Sequence, residues 1–224
     1  MKRGLLPALL AVALAGAGCD GPRQVQVPLG NESLAGSYWE PRERMSPAVL
    51  LLPMLGHGKE EWLPLATRLH AAGYGVLALD LREGGRTDRE RLLADARAGF
   101  TFLRDQKRVD AARIGLVGAS LGANTALNFA AAEPMVRAVA LLSPGMNHLG
   151  VTTEPALRDY GTRPLLLAGA EEDLSSAGAV RRLADSARGD TVVKLYSGGA
   201  HGTDLLTAVP PTIEDVLAFL QAHL

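Results

Sequence analysis

A serine between two glycines is the residue of this chain best suited to covalent chemistry. Ser120 stands in the pentapeptide Gly118-Ala-Ser-Leu-Gly122, which follows an apolar stretch and precedes a helical one. A Gly-x-Ser-x-Gly segment in that setting is typical of a sharp strand-to-helix turn that presents a serine hydroxyl to a cleft. The alternative is a serine that only caps the following helix. We favour the nucleophile, because the pattern lies between a predicted strand and a predicted helix.

A serine hydroxyl becomes a strong nucleophile only when a base removes its proton, and that base usually needs a third group to orient it. We select His201, which follows the apolar stretch ending at Tyr196 and has small neighbours in Ser197-Gly-Gly-Ala-His-Gly-Thr. The alternative is a loop histidine that bonds only to backbone. The other four histidines lie in helical stretches, in a loop or in an irregular segment: His70, His223, His57 and His148.

The orienting acid is expected between the serine and the histidine along the chain. The turn after the apolar stretch at 164–168 carries three carboxylates, Glu171, Glu172 and Asp173. We select Asp173 as the orienting carboxylate and keep Glu172 as the alternative. The non-catalytic interpretation of this turn is a solvated acidic cap on the next helix.

Two backbone N–H groups are needed to stabilise the negative charge that develops on the carbonyl oxygen of a substrate. We expect one from Leu121, which follows Ser120 at the start of a helix. The other is expected from the loop after the first buried strand. Pro53 in that loop has no N–H, which leaves Met54 or Leu55, and we favour Leu55.

Strands and helices alternate along the chain and would bring these residues to one edge of a sheet. Residues 24–28 and 34–39 predict an antiparallel edge hairpin. Further strands, most of them unbroken apolar runs, are predicted at 48–52, 75–80, 113–117, 136–142, 164–168 and 191–196. Helices are predicted at 61–72, 88–106, 121–132, 177–188 and 212–223. This order predicts an α/β fold with a mainly parallel sheet, helices on both faces, and chemistry at the carboxyl ends of the strands.

Composition predicts one domain and excludes several partners. The chain has 224 residues, 47% of them hydrophobic and 21% charged, with no repeat or linker after residue 24. We therefore expect a single domain over 24–224. A net charge of −1 and an aromatic content of 4% argue against nucleic acid as a partner. The single cysteine excludes an internal disulfide and argues against a structural zinc site. The sequence does not indicate an oligomeric state.

The first 18 residues have the pattern of an export signal. Two basic residues precede an apolar run over 5–17, and small residues lead to Cys19. This pattern is typical of a secretory signal peptide over 1–18. The end of the run resembles the bacterial lipoprotein box, in which a lipidated cysteine follows small residues. That resemblance implies a lipidated Cys19, a short tether over 19–23, and anchoring in the cell envelope at the periplasmic face of a bacterial membrane.

The motifs together resemble the α/β-hydrolase family, and within it the small capless esterase and dienelactone-hydrolase-like group. The resemblance rests on the turn at Ser120, the loop that leads to Trp62, the segment Asp80-Leu-Arg-Glu-Gly-Gly-Arg86, Asp173 and His201. It implies an α/β-hydrolase fold without a large cap. It also implies a nucleophilic Ser120, His201 as base and then acid, and Asp173 as the orienting carboxylate.

The resemblance implies a serine hydrolase that cleaves small carboxylic esters through an acyl-enzyme, without a metal or an organic cofactor. Dienelactone hydrolases proper use a cysteine nucleophile, so their specific activity is not implied. The segment 143–163 between two core strands is short and leaves little room for a lid, which favours small or soluble esters. Three alternatives stay open: an acyltransferase, a peptidase on the same site, and a non-catalytic envelope lipoprotein that binds a ligand.

Overall fold

The computed structural model describes residues 21–82 and 88–224 of the chain. The strands are β1 (Arg23–Leu29), β2 (Glu32–Trp39), β3 (Ser46–Leu52), β4 (Gly75–Leu79), β5 (Val109–Ala119), β6 (Val136–Leu142), β7 (Asn147–His148), β8 (Val151–Thr152), β9 (Leu165–Ala170) and β10 (Thr191–Tyr196). The helices are α1 (Leu63–Ala71), α2 (Arg89–Arg104), α3 (Leu121–Ala132), α4 (Glu154–Tyr160), α5 (Leu174–Ser186), α6 (Leu205–Ala208) and α7 (Pro211–His223).

One sheet of eight strands runs through the described residues in the order β1-β2-β4-β3-β5-β6-β9-β10. From β4 to β10 every neighbouring pair in this sheet is parallel, whereas β2 pairs antiparallel with β4 and β1 pairs antiparallel with β2. The predicted α/β class, the mainly parallel sheet and the N-terminal antiparallel hairpin are confirmed. Because the parallel strands all end at one edge, the loops that follow them meet there.

Alternate side chains of the central strands supply two hydrophobic layers. On β3, Leu50 and Leu52 pack in a cluster with α2, α3 and α5, whereas Val49 and Leu51 pack in a second cluster with α1, α6 and α7. All four side chains are fully buried. An unbroken apolar run is therefore the sequence signal of a strand covered on both faces. The prediction of helices on both faces of the sheet is confirmed.

The segment between β6 and β9 is more ordered than the sequence indicated. It contains the β7–β8 hairpin and α4, so His148 lies on a short strand and not in an irregular segment. Buried amides of α3 hold the hairpin: Asn124 Nδ2 donates to the Val151 carbonyl at 2.7 Å, and Asn128 Nδ2 donates to the Thr152 carbonyl at 2.8 Å. The described residues contain no large cap, as predicted.

Several boundaries differ from the prediction. β5 begins at Val109, four residues before the predicted start, and α5 begins at Leu174 because the Asp173 side chain caps it. Arg23, predicted as the end of the tether, is the first residue of β1. The predicted signal peptide and Cys19 lie outside the described residues. None of the helices in residues 21–82 and 88–224 is both long enough and apolar enough to cross a bilayer.

Candidate active site

Ser120 lies between β5 and α3 in a strained backbone conformation. Its φ of 50° and ψ of −114° fall in a region that side-chain-bearing residues rarely adopt. Such a conformation costs on the order of 1–3 kcal/mol and persists only where the surroundings impose it. Here the Ser120 N–H donates to the Leu142 carbonyl of β6 at 2.9 Å. The side chain is 8% exposed.

The two glycines of the pentapeptide allow strand, helix and neighbouring loop to approach one another. A Cβ at Gly118 would lie 2.2 Å from the Gly122 carbonyl oxygen. A Cβ at Gly122 would lie 2.3 Å from the carbonyl oxygen of Leu52 and 2.4 Å from that of Pro53. Real Cβ atoms do not approach backbone this closely. The glycines therefore bring the loop after β3 directly against the turn that carries Ser120.

The three residues selected from the sequence form one hydrogen-bonded chain. Ser120 Oγ lies 2.8 Å from His201 Nε2, and His201 Nδ1 lies 2.6 Å from Asp173 Oδ2. Ser120 and His201 are 81 positions apart in the sequence, and Asp173 and His201 are 28 apart. Ser120 follows β5, Asp173 follows β9 and His201 follows β10, so all three lie at the carboxyl edge of the sheet. An imidazole placed between a hydroxyl and a carboxylate can accept the hydroxyl proton and keep its orientation.

Asp173 is held so that one carboxylate oxygen is left for the histidine. Its Oδ1 accepts the Ser176 N–H at 3.4 Å, as the cap of α5, and Oδ2 faces His201. Burial acts to raise the pKa of the Asp173 carboxyl. The hydrogen bonds from His201 and Ser176 and the charge of His201 outweigh burial and lower the pKa below its ordinary value. Asp173 is therefore ionised at neutral pH.

Backbone hydrogen bonds hold the acidic turn against the loop that carries His201. The Glu171 N–H donates to the Tyr196 carbonyl at 2.8 Å, and the Glu172 N–H donates to the Gly198 carbonyl at 2.9 Å. The Glu172 side chain is exposed. Asp173, and not the alternative Glu172, makes the carboxylate contact with His201.

The residues selected as oxyanion donors lie on the two segments that meet at Ser120. Leu121 is the first residue of α3, where the N–H groups have no acceptor within the helix. Leu55 lies in a turn closed by the His57 N–H, which donates to the Met54 carbonyl at 3.2 Å. Leu55 is 46% exposed, whereas Met54 is buried in the core.

A comparison with protein families identifies the family of this chain. The sequence model of the α/β-hydrolase fold matches residues 47–185, more than half of the chain. The chain belongs to the α/β-hydrolase family. Over 102 residues it is also 39% identical to an uncharacterized protein found in two strains of Mycobacterium tuberculosis. That alignment covers 44% of this chain and 36% of the relative, so it spans little more than a third of the relative's length.

Solved structures share the fold over nearly the whole described chain. A dienelactone hydrolase from Anabaena variabilis has a TM-score of 0.73 and 22% identity, with 89% of this chain and 96% of that chain covered. A Pyrococcus furiosus esterase has a TM-score of 0.74 and 18% identity, with 90% and 92% covered. Est1E from Butyrivibrio proteoclasticus has a TM-score of 0.75 and 14% identity, with 89% and 99% covered. At these identities the likeness is one of fold.

Ser143 is a residue of this α/β-hydrolase site that the sequence analysis did not select. It follows β6, is fully buried and has a φ of 49°. Its N–H donates to the Ala168 carbonyl at 2.7 Å, and its Oγ accepts the Gly202 N–H at 2.9 Å. Ser143 therefore fixes the backbone directly after His201. The position of Ser143 directly after a predicted strand was the only sequence feature that pointed to this residue. That feature does not reveal its partner Gly202, 59 positions away.

Two further histidines, His148 and His223, lie outside this hydrogen-bonded chain. His148 is half-buried against Gly145, and its Nε2 is buried without a hydrogen-bond partner in the described part of the chain. Burial, followed by the nearby charge of His201, lowers the pKa of His148, although Asp173 acts in the opposite direction. His223 lies 3.5 Å from Asp190 in the last turn of α7. No group of His, Cys, Asp or Glu residues suited to a metal ion occurs within 21–82 and 88–224.

Proposed function

We propose that this protein is a serine hydrolase that cleaves small carboxylic esters through an acyl-enzyme. Ser120 is the nucleophile, His201 the base and then the acid, and Asp173 the orienting carboxylate. The observation that carries the proposal is the unbroken hydrogen-bonded chain from Ser120 Oγ through the His201 ring to Asp173 Oδ2. The strained backbone at Ser120 supports it, because proteins keep such strain mainly at functional sites.

In the acylation step, His201 Nε2 takes the proton of Ser120 as Oγ bonds to the ester carbonyl carbon. The carbonyl oxygen becomes an oxyanion, which the N–H groups of Leu121 and Leu55 stabilise. The tetrahedral species then breaks its bond to the leaving alkoxide, which receives the proton from His201. The imidazolium formed in between is stabilised by the ionised Asp173, which stays deprotonated throughout.

In the deacylation step, water replaces the alcohol. His201 takes a proton from water as the hydroxide bonds to the acyl carbon, and the proton returns to Ser120 Oγ as the acyl–serine bond breaks. The products are a carboxylic acid and the free enzyme. All proton transfers use groups of the chain itself, so the proposed reaction requires no metal and no organic cofactor.

The proposed preference for small esters rests on how little structure covers the site. Between β6 and β9 the chain carries only the short β7–β8 hairpin and the two-turn helix α4. Burial of a long acyl chain usually requires a deeper enclosure of apolar side chains. Leu55, on the loop after β3, is about half exposed and offers apolar contact to a small acyl or alcohol group.

Labelling with a fluorophosphonate tests the proposal without knowledge of the natural substrate. We expect a single covalent adduct on Ser120, and loss of both the adduct and p-nitrophenyl acetate hydrolysis in Ser120→Ala. Ser175→Ala, which removes an exposed hydroxyl on α5, is the matched control and should behave as wild type. An unlabelled wild-type protein would support the non-catalytic ligand-binding alternative. Faster transfer of the acyl group to an added amine or alcohol than to water would support an acyltransferase, and cleavage of an amide would support a peptidase.

The proposal extends to location. The signal-like segment 1–18 and the small residues before Cys19 support export and lipid attachment at the periplasmic face of a bacterial membrane. The proposed partners are thus a small-molecule ester and a membrane reached through the lipid. Cys19→Ser is expected to move the protein to the soluble fraction, and unchanged retention on membranes would contradict the anchor.

A further inference from the structure

Glu61 contacts two loops that carry different parts of the proposed catalytic machinery. One of its carboxylate oxygens contacts Nδ1 of His57, in the loop that carries Leu55. The other, Oε2, accepts a hydrogen bond from Thr203 Oγ1 at 2.6 Å. Thr203 lies two residues after His201. A single side chain thus connects the loop of the proposed oxyanion donor to the loop of the proposed base.

The turn that carries Glu61 is anchored at both ends. It is a single 3₁₀ turn, Lys59–Trp62. At its start, the backbone N–H and the Nζ of Lys59 both donate to the Asp80 carboxylate at 2.7 Å. At its end, Trp62 is fully buried in the core. A side chain on such a turn can hold its partners at a fixed distance.

The loop after His201 is held from two sides. On one side Ser143 Oγ accepts the Gly202 N–H at 2.9 Å. On the other side, toward the loop after β3, the contacts are the Glu61–Thr203 hydrogen bond and the Met54 side chain, which packs against Gly202. Thr203 is 3% exposed and the Glu61 side chain is 30% exposed, so their hydrogen bond is shielded from water on the Thr203 side. Without Glu61, the polar restraint between the two loops is lost.

We propose that Glu61 is a positioning residue that sets the distance between His201 and the proposed oxyanion donor Leu55. The inference rests on the proposed function. His201 and the oxyanion donor act on the same ester group of the substrate. His201 transfers protons to and from the attacking and leaving oxygens, and the oxyanion donor binds the carbonyl oxygen. A shift of one loop relative to the other therefore weakens stabilisation of the transition state more than binding of the substrate.

The test compares variants at the two ends of the hydrogen bond. Thr203→Val keeps the side-chain shape but removes the hydroxyl, whereas Thr203→Ser keeps the hydroxyl. We expect Thr203→Val and Glu61→Ala each to lower kcat on p-nitrophenyl acetate by about tenfold to a hundredfold, with KM changed by less than about threefold. Thr203→Ser should stay within about threefold of wild type in both constants. The double variant should be little worse than Glu61→Ala, because Thr203→Val removes only a hydrogen bond that Glu61→Ala has already removed.

Glu60→Ala is the matched control, since Glu60 is an exposed carboxylate on the same turn that pairs with Lys59. It should leave kcat and KM unchanged. A second measurement does not depend on activity: the ring resonances of His201 in isotope-labelled protein should shift in Thr203→Val and Glu61→Ala but not in Glu60→Ala.

The outcomes separate this inference from the proposed function. If wild-type protein neither hydrolyses the ester nor reacts with the phosphonate, the proposed function fails, and the His201 resonances still decide whether Glu61 positions that ring. Equal kcat in wild type and Thr203→Val, equal losses in Thr203→Val and Thr203→Ser, or an effect confined to KM would overturn the positioning role. So would unchanged His201 resonances in both Thr203→Val and Glu61→Ala.

Discussion

The two carboxylate oxygens of Asp173 bind different partners. Oδ1 caps α5 through the Ser176 N–H, and Oδ2 orients His201. The Ser176 hydroxyl also lies 3.4 Å from His201 Nδ1. Because the carboxylate accepts from the ring, the proton of a neutral His201 is held on Nδ1, and Nε2 is free to accept the proton of Ser120. The identity of the side chain at 173 therefore selects the reactive tautomer of the base.

Asp173→Asn is expected to lower kcat by about a thousandfold or more while the fold is retained. The asparagine can still cap α5 through its carbonyl oxygen, but it has no charge with which to stabilise the imidazolium. Its N–H groups can also donate to His201 Nδ1, which favours the unreactive tautomer with the proton on Nε2. The measurement is kcat for p-nitrophenyl acetate together with the midpoint of urea unfolding.

Glu172→Gln is the matched control for that prediction. Its side chain is exposed on the same acidic turn, and only its backbone N–H takes part in the contact with the loop at Gly198. It should keep wild-type kcat. If Glu172→Gln were as impaired as Asp173→Asn, the general charge of the turn would matter and not the specific bond to His201.

Residues on the proposed reaction path could be predicted from the sequence, whereas the residues that hold them could not. Ser120, His201 and Asp173 each follow a strand and have neighbours that indicate a tight turn. Glu61 and Ser143 have no such signature. Their partners are 142 and 59 positions away, and the hydrogen bonds exist only once the sheet has formed. The donors of the oxyanion site stay predictions, because their role depends on a bound substrate.

At the level of elements, the strands of the main sheet could be predicted from the sequence, whereas the short strands held by buried amide side chains could not. β6 and β10 have the predicted bounds. In β6 the apolar run matches the buried stretch, whereas β10 is an edge strand of the sheet with no fully buried residue. The β7–β8 hairpin has two residues in each strand and is held by Asn124 and Asn128 of α3. No local periodicity marks a hairpin of that size, and its stability derives from buried amides elsewhere in the chain.

The β7–β8 hairpin should respond to pH through His148. Burial and the charge of His201 lower the pKa of this imidazole in the folded protein, while the unfolded chain keeps the ordinary value. The unfolded state therefore binds more protons in the window just below the ordinary histidine pKa. The free energy of unfolding falls as the pH drops through that window, and the contribution is fully present above it.

We expect His148→Gln to reduce this loss of stability. Between about pH 7.5 and about pH 5, the urea midpoint of wild type should fall more steeply than that of His148→Gln. His223→Gln, which changes a histidine paired with Asp190 at the end of α7, serves as the control and should keep the steep wild-type slope in the acidic direction. Parallel curves for wild type and His148→Gln would contradict the prediction.

At the scale of the whole molecule, the start of β1 lies to one side of the proposed active site. β1 runs in the same direction as β4, because each is antiparallel to β2. β1 therefore runs toward the carboxyl edge of the parallel strands, the edge at which Ser120 follows β5. Through the ladder, Arg23 is level with Leu116. Arg23 is therefore offset from Ser120 by about 13 Å along the strands and by about 19 Å across the sheet.

This geometry predicts that a lipid on Cys19 would leave the cleft open to water. Cys19 lies four residues before Arg23, and four residues reach at most about 14 Å. The two offsets together place Arg23 about 23 Å from Ser120, so a lipid on Cys19 would enter the bilayer beside β1 and not at Ser120. In phosphatidylcholine vesicles, the lipidated protein and Cys19→Ser should hydrolyse soluble p-nitrophenyl acetate with equal kcat/KM. The anchor should bring no advantage on p-nitrophenyl palmitate carried in the same bilayer. Faster cleavage of the bilayer ester by the lipidated form would mean that the cleft faces the membrane and would contradict this prediction.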